Sequence, residues 1–448
     1  MNQSLIKKFL KPLSWFSLLF SLFPVQLGYH WWPQFSKVFG YRIDYLSPVI
    51  YLTDIIFVGF IISWFRSSQR VNIKTKFKSW IFLLIVIVVN ILFSDSKVIT
   101  LISWLRIFQI ITITLFVAHH YAAVEKILNK ILPLQIIFIG IVTASQSLLQ
   151  RSLGGIFWWL GERDFTFFTP GIAKTSWCQL IPFDSDYLSH CDQFIRPYAM
   201  FSHPNSLAGY ILICTLIIFL KYNEIKPVHK FISLLAKLSA LFILLVTFSR
   251  TAWVAGIVSF LVGMVLPRQK LKFKYITCTG FLYFIICISL VFPFLIFSFE
   301  ISHLIKASES YQVRQQLFYL AIDIFKEQPI WGSGLGTFIP QVVGHLSIPE
   351  IKLLQPVHHV LWLWISESGI LGFIVLLVSL HKSRHLIEDK PNQERFNVIV
   401  LLTALVITAS NDHYWLTLPQ NRLLLGLTLG LIFNFNSWRN LPISRLRS

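Results

Sequence analysis

The chain has 448 residues, of which 55% are hydrophobic and only 13% are charged. A soluble domain carries about a quarter charged residues, so this composition excludes an ordinary soluble globular protein and predicts an integral membrane protein. The net charge of +19 lies mainly in short segments between apolar runs. It therefore indicates an anchor to anionic membrane lipids, and nucleic acid is not an expected partner.

Apolar runs long enough to cross about 30 Å of hydrocarbon as helices recur along nearly the whole chain. They predict an all-α, polytopic fold with about twelve transmembrane helices in a single transmembrane domain, residues 1–448. Most of the 39 Lys and Arg residues fall on the side that holds the N-terminus, so both termini are expected in the cytoplasm. The approximate predicted spans are 13–29, 46–65, 79–94, 98–118, 131–149, 205–221, 231–248, 251–267, 276–298, 358–380, 397–415 and 421–437.

Two charged residues, Asp54 and Arg106, lie inside predicted spans. A bare charge is costly in hydrocarbon, so each side chain is expected to face a protein interior or a polar cavity. Sequence alone leaves open whether the two side chains pair with each other.

Residues 150–204 form the first large external loop. Its aromatic residues lie beside carboxylates, a combination that suits sugar rings but equally suits an aromatic belt at the membrane interface. Cys178 and Cys191 lie in this loop and either form a disulfide or remain free thiols. Near its end, Arg196 offers a planar cationic fork suited to phosphate oxygens. His203 and Asn205 follow, either as substrate-binding residues or as caps of the next helix.

Arg250 lies in the segment TFSRTAW, where predicted spans seven and eight meet with almost no loop between them. A snorkelling interfacial arginine is one interpretation. The other is an anion ligand that faces a cavity on the outer side, and the remaining outer-side candidates favour it.

The second large external loop, residues 299–357, lies between spans nine and ten and is predicted to be helical. Its amphipathic helix begins at Arg314, buries an apolar face and ends at Pro329. An arginine at a helix start, next to free backbone N–H groups, can hold a phosphate. The glycines that follow are more typical of a hinge or tight turn than of a nucleotide-binding loop. The apolar face consists of Leu317, Phe318, Ala321 and Phe325, and the glycines are Gly332, Gly334 and Gly336.

His358 and His359 stand at the start of the next apolar helix, the first as a candidate catalytic residue and the second as a candidate substrate-binding residue. A histidine at the bilayer edge suits acceptance of a proton from a hydroxyl at neutral pH. Adjacent residues on a helix point about 100° apart, so the two rings are not expected to face one ligand. By the same periodicity, Glu367 is expected to face away from His358. A zinc site with His345 lacks the usual ligand spacing, so no metal site and no cofactor are predicted.

Asp412, His413 and Tyr414 end the eleventh predicted span, and Arg422 opens the twelfth. They form either a short polar turn or a second lining of the same cavity. In the second case Asp412 is a candidate substrate-binding residue.

Three segments together resemble the bacterial O-antigen ligase and O-antigen polymerase superfamily: TFSRTAW, RQQLFYLAIDIFKEQPIWGSGLGTF and HHVLWLWISESGILG. That family has a histidine followed by Asn, Ser or Gln, nine further residues and Gly-x-x-Gly. His358 and the segment Gly369–Gly372 reproduce this spacing, whereas His359 departs from the pattern. The resemblance covers roughly residues 196–430.

The resemblance implies a GT-C-like membrane glycosyltransferase of the bacterial cytoplasmic (inner) membrane, with a cavity that opens toward the periplasm. Members of this family transfer a glycan from an undecaprenyl-diphosphate-linked oligosaccharide donor to a glycan or glycolipid acceptor, without a metal ion. Arg250 and Arg314 match family arginines that would neutralise the diphosphate. His358 matches the family histidine that would activate or position the acceptor hydroxyl.

The sequence leaves several functions open. It does not separate a polymerase from a ligase, nor from members of the superfamily that glycosylate proteins. A transporter or flippase of polyprenyl-linked sugars is the main alternative, although the sequence shows no convincing internal repeat or matched pair of broken helices. A structural or binding protein is a third interpretation.

Overall fold

The computed structural model describes residues 11–67, 77–154, 161–176, 192–220, 227–265, 289–291, 309–346, 350–383 and 392–433. This part of the chain is mostly helical with few strands, which confirms the predicted helical fold in outline. Twelve spans, the GT-C-like arrangement and the predicted domain limits stay predictions. Cys178 and Cys191 lie outside the described residues, as does most of the predicted span 276–298.

The helices and strands are numbered here in chain order. The helices are α1 (Pro12–Ser21), α2 (Leu52–Arg66), α3 (Phe77–Phe93), α4 (Lys97–His119), α5 (Tyr121–Leu149), α6 (Pro204–Leu220), α7 (Pro227–Val246), α8 (Arg250–Val265), α9 (Glu309–Glu327), α10 (Phe338–His345), α11 (Val360–Ser383), α12 (Asn392–Ala409), α13 (Tyr414–Thr417) and α14 (Pro419–Phe433). The strands are β1 (Gly28–His30), β2 (Lys37–Val38), β3 (Tyr41–Arg42), β4 (Val49–Tyr51), β5 (Lys174–Thr175) and β6 (Phe194–Ile195).

Among the described residues, three helices are long and apolar enough to cross a membrane: Lys97–His119 in α4, Tyr121–Leu149 in α5 and Val360–His381 in α11. Helices α1, α6 and α8 and the segments Ile81–Phe93, Phe231–Val246 and Phe396–Ala409 are apolar but shorter. Many large apolar side chains on these helices are exposed, as expected for surfaces that contact lipid rather than water.

Helix pairs in the bundle pack closely: α14 against α4, α12 against α8, α7 against α5 and α1 against α2. Small residues permit the α4–α14 approach. A Cβ at Gly430 would lie 2.8 Å from the carbonyl oxygen of Thr114, and one at Gly426 would lie 3.0 Å from that of Ile110. Glycine at such positions lets two membrane helices bring their backbones together. This contact places the first turn of α14 beside the middle of α4.

Residues 28–51 form a small cap, called the N-terminal cap below. Strand β1 pairs with β4, and β2 pairs with β3, both antiparallel. The predicted first span to residue 29 and second span from residue 46 are therefore wrong at these ends, because α1 stops at Ser21 and α2 starts at Leu52. Pro24, Pro33 and Pro48 interrupt the apolar sequence and cannot continue a helix.

Residues 309–346 and 350–357, called the external segment below after the loop predicted there, share a small hydrophobic core with Leu363 of α11. The predicted apolar face of α9 is confirmed, since Leu317, Phe318 and Ala321 are buried. The helix begins earlier than expected, so Arg314 lies in its second turn rather than at its start. A further cluster joins Ile339 and Leu354 of this segment to apolar residues of the N-terminal cap. The cap and the external segment thus cover the same side of the bundle.

Helix α11 is broken at Gly369, whose φ is +64° and ψ −168°. The predicted turn after α9 docks into this break, which satisfies the backbone groups that the helix loses. The bonds run from Ser333 N–H to Ser366 O (3.1 Å), Gly334 N–H to Glu367 O (2.9 Å), Ile370 N–H to Pro329 O (2.9 Å) and Leu371 N–H to Ile330 O (3.1 Å). The glycine-rich turn is therefore a structural joint between α9 and α11.

Asn90 of α3 secures this joint. Its amide nitrogen donates to the carbonyl oxygens of Trp331 (2.7 Å) and Glu367 (2.9 Å). Its amide oxygen accepts from the indole N–H of Trp104 (2.9 Å) and the backbone N–H of Leu335 (3.2 Å). The side chain makes four hydrogen bonds at a buried position, so α3, α4 and α11 are fixed relative to the external segment.

Candidate functional site

A cavity of about 310 Å³ lies beneath the N-terminal cap and the external segment. The cap, the segment before α11, the turn between α12 and α13, and helices α4 and α14 all contribute to its wall. The polar side chains that matter below are Tyr45, Arg106, His358, Glu367, Asp412 and Arg422.

His358 lies two residues before α11 and faces the cavity. Its Nδ1 is 3.5 Å from Asp412 Oδ1, an ion-pair distance without a hydrogen bond, and its Nε2 is 3.2 Å from Gln355 Oε1. Burial alone would raise the pKa of the Asp412 carboxyl, but His358, His413 and Arg314 hold that pKa well below its usual range. An ionised carboxylate beside an imidazole stabilises the imidazolium that forms when the ring accepts a proton.

A hydrogen-bonded chain links this pair to the first external loop. Asn205 donates from Nδ2 to Asp412 Oδ2 (3.3 Å) and accepts at Oδ1 from the Arg196 guanidinium (2.6 Å). Arg196 also donates from Nε to the carbonyl oxygen of Thr247 (2.6 Å). Three residues predicted from sequence, Arg196, Asn205 and Asp412, are therefore brought together with His358.

Arg196, Arg250 and Arg314 form one electrostatic group that is not part of the cavity lining. Burial, together with the positive charges of Arg314 and Arg250, lowers the pKa of Arg196 to about 10, so it remains protonated at neutral pH. Arg250 is the exposed first residue of α8, and Arg314 is half-buried on α9. In the described part of the chain, neither has a hydrogen bond or an ion-pair partner. Two unpartnered guanidiniums beside a third make a site for a polyanion.

His203 both caps a helix and lines the cavity. Its Nδ1 accepts from the backbone N–H of Asn205 (3.1 Å) at the start of α6. The ring is exposed toward the cavity. The capping and binding interpretations are thus compatible in one side chain.

His359 points away from the cavity, whose lining does not include it. Its ring is buried, with Nε2 2.8 Å from the carbonyl oxygen of Ser289 and Nδ1 accepting from the backbone N–H of Trp362 (3.3 Å). Burial lowers the pKa of His359 to about 4, so the ring is neutral at physiological pH. The structure therefore does not bring His359 together with the other predicted site residues.

Glu367 faces the same cavity as His358, contrary to the expectation that the two point in opposite directions. The helical periodicity behind that expectation does not reach His358, because α11 begins only at Val360. The carboxylate of Glu367 accepts from the backbone N–H of Phe338 (3.1 Å) at the start of α10. It thereby stabilises the N-terminal turn of that helix.

Residues 235–377 match a model of the O-antigen ligase family. This stretch is similar to O-antigen ligase domains. The match confirms the resemblance seen in the sequence, and it contains Arg250, Arg314 and His358. It supports O-antigen ligase-like glycan transfer and a membrane protein of the bacterial inner membrane. No curated protein matches the chain significantly.

Part of the cavity wall lies outside the O-antigen ligase domain, and sequence reasoning did not assign it to the site. Arg106 and Asp54 form an ion pair, which answers the question left open by sequence. Tyr45 of the N-terminal cap lies against the ring of His413, with 5.5 Å between ring centroids. The sequence signal for this part of the wall was the presence of Asp54 and Arg106 inside apolar spans. The contacts themselves join segments far apart in the chain, so sequence spacing does not indicate them.

His358, Asp412 and His413 also offer three ligand atoms that lie within 4.8 Å of one another. Sequence spacing could not suggest this group, since one member precedes α11 and the others precede α13. His413 Nδ1 is hydrogen-bonded to Thr417 Oγ1 (2.8 Å), and its Nε2 is 3.9 Å from Asp412 Oδ1. The arrangement can hold a proton or a cation, and metal-free chemistry in the O-antigen ligase domain stays a prediction.

Proposed function

We propose that this protein is a glycosyltransferase of the O-antigen ligase or polymerase type. It transfers an oligosaccharide from undecaprenyl diphosphate to a hydroxyl of a glycan or glycolipid acceptor, at the periplasmic face and without a metal ion. The observation that supports this most strongly is the placement of His358 and Asp412 on a cavity, with three arginines outside its lining, of which Arg196 and Arg314 interact electrostatically with Asp412. All but Arg196 and Asp412 belong to the matched O-antigen ligase domain.

In the proposed reaction, the acceptor hydroxyl oxygen attacks C1 of the donor sugar. A new C1–O bond to the acceptor forms while the C1–O bond to the diphosphate breaks. The acceptor proton passes to His358, and the bonding electron pair leaves with undecaprenyl diphosphate. No oxidation or reduction occurs.

The leaving diphosphate gains negative charge as its bond to C1 breaks. Arg250 and Arg314 have no partner in the described structure, so their N–H groups are available to the phosphate oxygens. Such preorganised donors stabilise developing charge most effectively where water is excluded. Arg196, held by Asn205 and Thr247, adds a fixed positive charge behind them.

His358 removes the acceptor proton in this scheme, and Asp412 stabilises the resulting imidazolium. The contact of Nε2 with Gln355 and the approach of Nδ1 to Asp412 fix the plane of the ring. Orientation of a base toward the reacting hydroxyl is a large part of what an enzyme supplies. Asp412 is thus a positioning residue in this proposal, whereas sequence suggested substrate binding.

Cavity placement supports the periplasmic assignment. The N-terminal cap and the external segment cover the cavity, and both lie between helices at the side that the distribution of Lys and Arg predicts to be external. The opposite orientation would put the diphosphate site in the cytoplasm.

The test uses purified full-length protein in detergent, an undecaprenyl-diphosphate-linked oligosaccharide and a glycolipid acceptor, with product detected by mass spectrometry. We expect transfer that persists in excess EDTA. A flippase would give no product, because detergent provides no second compartment. Absence of transfer to either the glycolipid or a second donor molecule would contradict the proposal, and loss of transfer in EDTA would contradict its metal-free form. The two acceptors also separate ligase from polymerase.

A further inference from the structure

A second group of charges lines the cavity apart from His358 and the three arginines of the diphosphate site. It comprises Arg106 of α4, Arg422 of α14 and Tyr51 at the end of β4. The charged side chains that act most strongly on Arg422 are Arg106 and Asp54, whereas those that act on Asp412 are His358, His413 and Arg314. Tyr45 lies between the two groups, since both Asp412 and Tyr51 act on it.

Arg422 is a buried cation without a matching anion. Its side chain is only 4% exposed, its Nε has no hydrogen-bond partner, and its Nη1 makes one long bond (3.4 Å) to the carbonyl oxygen of Leu416. No carboxylate in the described residues lies within ion-pair distance. It also sits in the first turn of α14, where the helix dipole already presents positive charge.

Arg106 is a second cation of this group, but it does not add to the excess of positive charge. Its own charge is matched by Asp54, with which it forms an ion pair, and its Nη2 donates to the carbonyl oxygen of Val49 (2.5 Å). Gln109 also donates to Asp54 Oδ1 (2.7 Å). The carboxylate of Asp54 is therefore fully engaged. One uncompensated positive charge remains, and it belongs to Arg422.

A purely structural arginine at this depth would be expected to have an anion or several carbonyl oxygens around it. An unpaired buried charge is strongly destabilising, and in membrane proteins such residues mark the path or site of a polar ligand. Arg422 lines the cavity, and since its Nε is itself enclosed, a ligand in the cavity meets the terminal nitrogens of the guanidinium. The ligand that fits is an organic anion, because one positive charge is left over.

We propose that Arg422 and Arg106 form a subsite for a negatively charged sugar of the glycan, one that carries a carboxylate or a phosphate. This inference rests on the proposed function and names a chemical class of glycan for it. The carboxylate or phosphate accepts hydrogen bonds from the Arg422 guanidinium, and Tyr51 and Tyr45 offer ring faces and hydroxyls to the sugar. The subsite is separate from the arginines that face the donor diphosphate.

The first experiment measures thermal unfolding of the purified full-length protein with glucuronate, glucose 6-phosphate, glucose or glycerol 3-phosphate. We expect the two anionic sugars at saturation to raise the midpoint of the wild type by about 1–3 °C. Glucose should leave the midpoint unchanged. Equal protection by glycerol 3-phosphate would identify a lipid headgroup as the ligand and overturn the sugar assignment. No protection by any anion would overturn the subsite.

Variants connect the effect to Arg422. Arg422→Gln should abolish protection by the anionic sugars, Arg422→Lys should keep part of it, and the exposed Arg66→Gln should keep all of it. Without ligand, Arg422→Gln should unfold at the wild-type midpoint or above, because an unpaired buried charge is removed. Retained protection in Arg422→Gln, or a lower ligand-free midpoint, would contradict the proposal.

These binding measurements do not depend on glycan transfer. Anion protection that requires Arg422, in a protein that transfers no glycan, would contradict the proposed function and support the anion site. The opposite result is that Arg422→Gln transfers anionic and neutral glycans equally well and that no anion raises the midpoint. This result would contradict the subsite and leave the proposed function intact.

Discussion

The two charged regions of the cavity differ in how their charges are balanced. Around His358, the residues form a connected chain in which Asp412 serves as anion to an imidazole and, through Asn205, to Arg196. Around Arg422, the carboxylate that acts on it among the described residues, Asp54, already forms an ion pair with Arg106. The first region is arranged around a reacting group, while the second has one cation in excess. We interpret the first as the reaction centre and the second as a place that holds the glycan.

The largest expected effect in this comparison comes from His358→Ala. Loss of a general base typically reduces the rate by about 10²–10⁴-fold, so transfer should fall by that factor while expression and thermal unfolding stay normal. The matched control is His345→Gln, since His345 contacts Gln341 and Glu327 outside the cavity. Near-normal transfer in His358→Ala would place the reaction centre elsewhere.

Replacing either unpartnered arginine should be nearly as damaging. Arg250→Ala and Arg314→Ala each remove a donor to the leaving diphosphate, which typically costs about 10²–10³-fold in rate. Lys326→Ala on α9 is the control for Arg314→Ala, because that lysine pairs only with Asp323 at the surface. Single-turnover rates with a lipid diphosphate donor measure the effect. Unchanged rates in both variants would contradict the assignment of the diphosphate site to these arginines.

Asp412→Asn separates the two roles that have been considered for this residue. A positioning role predicts a fall in kcat of about 10–10²-fold with little change in KM, since orientation of the base contributes only part of its effect. A substrate-binding role predicts a raised KM with kcat retained. Steady-state kinetics with varied acceptor decide between them.

Gly369→Ala tests the joint that holds the external segment over both regions. The residue has a positive φ, and a Cβ would lie 2.6 Å from the backbone nitrogen of Gly332. Such strain costs about 1–3 kcal/mol, so the thermal midpoint should fall. Gly344→Ala on α10 is the control, since its Cβ would meet nothing within 4 Å. Equal midpoints for the two variants would show that the joint tolerates a side chain.

The smallest expected effect is a pH dependence of stability that comes from two buried histidines and not from Arg422. Burial lowers the pKa of His359 to about 4 and that of His413 to about 3, from an ordinary value of about 6.5. At these two histidines the unfolded chain then binds more protons than the folded chain between about pH 6.5 and pH 3. Their contribution to stability should therefore be constant above about pH 7 and decline as the pH falls below 6.5.

Thermal unfolding between pH 8 and pH 5 measures this decline. His413→Gln should reduce its slope, whereas His345→Gln should not. Equal slopes for His413→Gln and the wild type would mean that the buried ring of His413 can be protonated without cost in the folded protein.

Several features followed from sequence because they depend on neighbouring residues. The apolar face of α9 and its end before Pro329 follow from periodicity and from a residue that cannot continue a helix. The spacing from His358 to Gly369 and Gly372 pointed to the O-antigen ligase family before any distance was known. Because a charged side chain is unfavourable in hydrocarbon, Asp54 and Arg106 were predicted to face a protein interior or a polar cavity.

Sequence reasoning failed where a distance joins segments far apart in the chain. Residues 28–51 looked like the ends of two spans but fold into the N-terminal cap, whose strands pair only when α1 and α2 are in place. Glu367 appeared to face away from His358, because helical periodicity was extended past the true start of α11.

The sequence by itself determined that the chain is helical and apolar, which residues could bind an anion or accept a proton, and where its helices must break. Only the tertiary structure decided that Asp412 stands beside His358, that Asp54 is used by Arg106, and that Arg422 is left without an anion. The reason is physical: periodicity and backbone restrictions act over a few residues, whereas the balance of charge in a cavity depends on helices packed from opposite ends of the chain.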